Sequence, residues 1–144
     1  MPDKATALRE RLGDGPIVQA AGAHDAITAR LVERHGFAAV WASGLGISAA
    51  HGVPDDGTLG MAKSLAAATV IDQACALPVV ADCDIGFGDA DAFAHAVEEY
   101  SRVGIAAMCI EDQAFPKRNS LDERAEHRLA SIDEGHQVLV SKAM

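Results

Sequence analysis

Three acidic residues carry the strongest chemical signal in this chain. Asp82 and Asp84 flank a single residue, and Glu111 closes the apolar run 105–110. In an extended segment, side chains two apart share a face, so the two aspartates point the same way and Glu111 can approach them from a neighbouring strand. Hard divalent cations prefer oxygen ligands, and Mg²⁺ typically takes one or two carboxylates and keeps several waters. Carboxylates crowded at one place repel unless a cation or a proton compensates. The same three residues would also serve as helix caps or as solvated acids, and their spacing alone leaves both readings open.

Other groups invite chemistry more weakly. D-I-G-F-G (84–88) places two glycines around an aromatic ring, a pattern for a tight turn with accessible backbone. It is neither a dinucleotide fingerprint nor a phosphate loop of the Walker type. W-A-S-G-L (41–45) ends an apolar run with a hydroxyl beside glycine, where backbone N–H groups could hold a carboxylate or phosphoryl oxygen. A core Trp and a turn Ser would read the same way. The six histidines are scattered without H-E-x-x-H, which argues against zinc. Cys83, between the aspartates, faces away from them in a strand and reads as a small buried residue. Cys75, Cys83 and Cys109 form no C-x-x-C pair and fit reduced thiols.

Positioning these groups requires a repeating frame. Apolar runs at 17–21, 38–42, 78–81 and 105–110 are short, continuous and rich in Val, Ile and Ala, as in strands buried on both faces of a parallel sheet. Helical patterns lie between and after them, at 25–35, 58–76, 89–103 and 131–143. In the first, Ile27, Leu31 and Ala26 share an apolar face, and Gly36 and Gly104 stand where C-terminal caps belong. The resulting β-α-β-α-β-α-β-α order allows an open doubly wound sheet or a (β/α)₈ barrel. Both bind ligands at the C-terminal ends of their strands, where Ala42-Ser43-Gly44, Asp82-Cys83-Asp84 and Glu111-Asp112 fall. Val18, Val40, Val80 and Met108 are expected on the inner face. The polar stretch 114–130 is long for a connection and reads as a functional loop, mobile without ligand.

The bulk composition narrows the function. The chain has 144 residues, a net charge of -9 and a pI near 4.9. It lacks the basic footprint of nucleic-acid binding. No stretch of eighteen apolar residues is present, so a membrane span is not expected. The first ten residues are charged and carry no apolar leader core, which makes the cytoplasm the expected location.

Four ordered motifs resemble the phosphoenolpyruvate mutase and phosphonopyruvate hydrolase branch of the isocitrate lyase superfamily. They are W-A-S-G-L (41–45), G-V-P-D (52–55), D-C-D-I-G-F-G (82–88) and E-D-Q-A-F-P-K-R-N-S (111–120), and A-G-A-H-D-A-I-T-A-R (21–30) also fits. The resemblance implies an α/β fold built of parallel (β/α) units of a TIM barrel, about the first four of eight. It implies one partial barrel domain over 1–144, ending after the fourth helix. Asp82 is then the direct Mg²⁺ ligand, while Asp84 and Glu111 hold metal-bound waters. Ser43, Gly44 and Leu45 contact the pyruvyl part of a small-molecule substrate, with Trp41 packed nearby. Asp55 lies near the transferring phosphoryl group, and Lys117, Asn119 and Ser120 belong to a gating loop, Asn119 being its phosphoryl contact. The related C–C lyases carry a catalytic Cys in a K-[KR]-C-G-H loop, whereas Lys117-Arg118-Asn119-Ser120 has none, which favours P–C chemistry. The expected activity is interconversion of phosphoenolpyruvate and phosphonopyruvate, with phosphonopyruvate hydrolysis or C–C cleavage as alternatives. Ile85 stands where the family usually has Thr, and the Arg and His that later strands supply have no counterpart here. This chain is therefore expected to be inactive alone and to associate as a homo-oligomer, with a non-catalytic half-barrel as the alternative.

Overall fold

The computed structural model describes residues 3–14 and 16–131. Its elements are α1 (Lys4–Asp14), β1 (Ala20–Ala23), α2 (Ala26–Arg34), β2 (Ala39–Ala42), α3 (Gly44–Ala50), α4 (Met61–Ala74), β3 (Val79–Asp82), α5 (Ala90–Arg102) and β4 (Ala107–Cys109). The strands pair in the order β1-β2-β3-β4, and every pair is parallel. A doubly wound sheet reverses its order at a switch point. This sheet advances by one neighbour at each step, as consecutive units of a TIM barrel do. The helix expected at 131–143 lies outside the described residues, except for Ser131, which is not helical.

Register partners in a parallel sheet share a face. One face carries Ala21, Val40 and Val79, then Ala23, Ala42, Ala81 and Met108. It packs against Ala29 and Val32 of α2, Ala68 and Ile71 of α4, and Ala96 and Tyr100 of α5. The opposite face carries Gly22, Trp41, Val80 and Ala107, then Asp82 and Cys109, and is half-buried or exposed. Val80 therefore lies on the inner face as expected. Val40 and Met108 do not, because the register turns them toward the helices, and Val18 precedes β1.

Three local expectations shift for physical reasons. β1 begins at Ala20 rather than Ile17, since Ala20–Ala23 is the segment that pairs with Ala39–Ala42 and Ile17 is left 92% exposed. In α2, Ile27 and Leu31 face outward, and the smaller Ala29 and Val32 are buried. Two helices had no clear sequence signal. α3 is capped by Ser43, and α1 is pinned by Lys4, whose ammonium reaches the Asp72 carboxylate at 2.8 Å and the Cys75 carbonyl at 2.9 Å. The glycine caps read from sequence are present, Gly36 and Gly104 following their helices at positive φ. At the other ends, Asp25 forms a capping box with Thr28 and Asp89 accepts from the Ala92 N–H.

The inward and outward faces of these helices predict opposite costs. Ile71→Ala should lower stability by about 2–5 kcal/mol, because it opens a cavity in the core. Ile27→Ala should change it by less than about 0.5 kcal/mol. Urea unfolding of the two variants measures both, and comparable losses would show that α2 buries the face read from its sequence.

Candidate active site

The C-terminal edge of the sheet is laced together by one cation. Lys117 comes from the segment after β4, yet its side chain is 3% exposed. Its ammonium bonds the Asp55 carboxylate at 2.9 Å and the Asp84 carboxylate in direct contact, and lies 3.7 Å from Glu111. Asp55 belongs to the β2–α4 region, Asp84 to the β3–α5 turn, and Glu111 to the end of β4. Burial alone would push the Lys117 ammonium down. The hydrogen bonds to Asp84 and Asp55 outweigh it and hold the group well above its ordinary value.

Asp82 takes a different partner. One carboxylate oxygen accepts from the Gly44 N–H at 3.0 Å, and the other accepts from the Asp84 N–H at 3.3 Å. Ser43 Oγ accepts from the Gly46 N–H at 3.2 Å as the N-cap of α3. The W-A-S-G-L backbone thus already holds a carboxylate, and it belongs to the chain itself. A Cβ on Gly44 would lie 2.9 Å from Asp82 Oδ2, closer than side chains tolerate. Burial raises the Asp82 pKa, with the Gly44 and Asp84 amides pulling back. Burial also raises Glu111, against the pull of Lys117.

Asp84 adopts φ 50° and Phe87 φ 66°, left-handed conformations that bend the D-I-G-F-G turn over the strand end. The Asp84 carbonyl accepts from the Glu111 N–H at 2.8 Å, which fastens that turn to β4. Cys83 is fully buried beneath it, and burial pushes its thiol up to about 12, so it is no nucleophile. Leu45 is partly exposed, and Trp41 stands on the open face opposite Val80. Asn119 is turned to local use, its side-chain oxygen accepting from the Leu121 N–H at 2.8 Å, and Ser120 is exposed in the same turn. The loop folds back on itself through a Gln113–Leu129 bridge.

The donor chemistry suits a hard cation. Asp55, Asp82, Asp84 and Glu111 are all oxygen donors, and Lys117 already acts as a stand-in positive charge among them. When all are ionised, four carboxylates against one ammonium leave three negative charges in excess. Among the described residues, no three donors stand in a ready ligating arrangement. The sequence placed Lys117 in a loop and Asp55 near the site, but nothing in it showed that the two pair.

The parallel (β/α) sheet matches barrels of the phosphoenolpyruvate mutase/isocitrate lyase superfamily, among them 2,3-dimethylmalate lyase, which superposes with a TM-score of 0.83 at 32% identity. A family model described as phosphoenolpyruvate phosphomutase matches residues 8–142, and the chain belongs to that family. It is 45% identical over 115 residues to 2,3-dimethylmalate lyase of Eubacterium barkeri, covering 79% of this chain and 40% of that protein. Against phosphonopyruvate hydrolase of Variovorax sp. (strain Pal2) it is 37% identical over 131 residues, covering 91% and 45%. The crystal structure of phosphoenolpyruvate phosphomutase from Streptomyces platensis subsp. rosaceus superposes with a TM-score of 0.90 at 43% identity, over 95% of this chain and 47% of that one. The chain thus spans less than half the length of each. These relatives are mutase, hydrolase and lyase, and identity alone does not separate them. No helix among the described residues is long and apolar enough to cross a membrane.

Two measurements follow from this geometry. Because the folded Lys117 pKa is raised, its contribution to stability is complete below the unfolded value near 10.5 and is lost as pH rises through the folded value. Wild-type stability should therefore fall as pH rises from the unfolded value to the folded one, and Lys117→Met should flatten this alkaline limb. Equal slopes in denaturant titrations across that range would contradict it. Separately, Gly44→Ala should cost about 1–3 kcal/mol through overpacking. The cost should shrink when Asp82→Ala removes the obstructing carboxylate, and an unchanged cost in the double variant would place the strain elsewhere.

Proposed function

We propose that this chain carries the metal- and loop-bearing half of an Mg²⁺-dependent enzyme that interconverts phosphoenolpyruvate and phosphonopyruvate. The observation that carries the reading is the segment Lys117-Arg118-Asn119-Ser120: it offers a buried ammonium and an amide, and no thiol, where the C–C lyases of the superfamily need one. Bound Mg²⁺ supplies charge compensation for a developing enolate oxygen. Asp82, Asp84 and Glu111 are the residues to hold it, directly or through water, and their excess negative charge supports that role.

The remaining roles belong to the chain's own groups. Ser43, Gly44 and Leu45 line the strand end where a pyruvyl group would rest, beside Trp41. Lys117 and Asn119 bring a cation and an amide toward a phosphoryl group, Ser120 completes the loop, and Asp55 orients the Lys117 ammonium. Phosphoryl transfer asks for positioning and charge compensation more than for covalent chemistry, which these groups supply. A loop seated over the site would exclude water, which a mutase requires and a hydrolase must relax.

G-V-P-D and D-I-G-F-G resemble the hydrolase as much as the mutase, so hydrolysis of phosphonopyruvate is the second reading. The likeness to 2,3-dimethylmalate lyase keeps C–C cleavage as a third. We further propose that the residues form one partial barrel domain and associate with another copy or with further strands. Among the described residues, β1 and β4 each have a single strand neighbour.

The test offers phosphonopyruvate and oxaloacetate, separately and with Mg²⁺, to the protein that carries this chain. Phosphorus NMR should show phosphoenolpyruvate forming from phosphonopyruvate. Pyruvate and phosphate instead would establish the hydrolase reading. Rapid cleavage of oxaloacetate with no turnover of phosphonopyruvate would sink P–C chemistry altogether.

A further inference from the structure

We infer that Lys117 is the resident counter-ion of this site and the residue that sets its affinity for a divalent cation, so that metal loading and loop seating oppose each other. The inference rests on the proposal that the site takes Mg²⁺, and deepens it by assigning an order to events. Its geometric basis is the sharing of oxygens. Asp84 Oδ1 is in direct contact with the Lys117 ammonium, and Glu111 Oε1 lies 3.7 Å from it. A cation drawing on those carboxylates must displace the ammonium or lie beside it, and two positive charges across a shared oxygen repel strongly at protein dielectric.

The loop's attachment makes this competition consequential. From 115 to 131, Lys117 is the only buried residue. Phe115 is 83% exposed, and Leu121 and Leu129 are 74% and 68% exposed, so apolar packing contributes little to holding the segment. The Gln113–Leu129 bridge ties the loop's base to itself rather than to the barrel. Beyond the buried Ala114 at its base, seating of 115–120 on the sheet edge therefore depends on one ammonium among three carboxylates. A cavity of about 210 Å³ adjoins Lys117, between Met61, Ile85, Phe87 and Phe115, and gives the displaced segment room to move.

Linkage makes the coupling reciprocal: if Mg²⁺ weakens the Lys117 attachment, Lys117 weakens Mg²⁺ binding by the same factor. An anionic substrate would relieve the conflict by giving the displaced ammonium a new partner, so metal alone opens the loop and metal with an anion closes it.

Isothermal titration with Mg²⁺ and hydrogen exchange of the amides of 114–120, at constant ionic strength, test this together. Lys117→Met and Lys117→Gln should bind Mg²⁺ about tenfold more tightly than wild type, within the usual range of such couplings. In wild type, exchange across 114–120 should quicken with Mg²⁺ along the binding curve, and added oxalate should slow it again. Circular dichroism checks that each variant folds. If neither does, the wild-type exchange alone decides. Mg²⁺ binding with equal affinity to wild type and variants, or without loosening of 114–120, would overturn the inference and leave the metal reading standing. No Mg²⁺ uptake by wild type or by a folded variant, with or without oxalate, would overturn both.

Discussion

The arrangement at the sheet edge depends on compensating crowded negative charge. A parallel sheet delivers its strand ends to one side, and in this chain the ends of β3 and β4 and the connection after β2 all deliver carboxylates there. Left uncompensated, such a cluster would repel itself and take up protons. The Lys117 ammonium answers that repulsion, and by doing so it joins three connections through one side chain. Breaking a buried ion pair by removing one partner strands a charge, so loss of this one ammonium would leave three carboxylates uncompensated.

The sheet contributes the other half of the argument. Its helix-covered face holds a dense core of small residues and a few large ones, such as Ile71, Phe93 and Tyr100. Its open face leads from Trp41 and Val80 up to Asp82, so the same alternation that packs the core also aims a carboxylate at the site. Gly44 completes the join, since only a residue without Cβ lets α3 begin so close to Asp82.

Much of this was legible in the sequence because periodicity and caps are local. The three later strands fall close to their apolar runs, and α2 and α5 stop just before the glycines their sequences show. β1 was misplaced because Ile17 and Val18 are more hydrophobic than the Ala-Ala-Gly-Ala segment that pairs. The face of α2 was inverted because Ala29 is too small to register as core, while Ile27 and Leu31 are large and exposed. The acidic triplet was visible as residue types at strand ends. The Lys117–Asp55 pairing was not legible, since residues 62 apart in sequence meet only once three strands have aligned.

Cys83 gives the site a chemical witness. The residue lies between two aspartates in the chain, but its thiol is buried in the apolar core beside the hydroxyl of Tyr100, which has no hydrogen-bond partner of good geometry. A thiol-modifying reagent can reach that sulfur only when the end of β3 lifts from α5. The speed at which Cys83 is alkylated under native conditions is thus a clock for the breathing of the strand that carries Asp82 and Asp84.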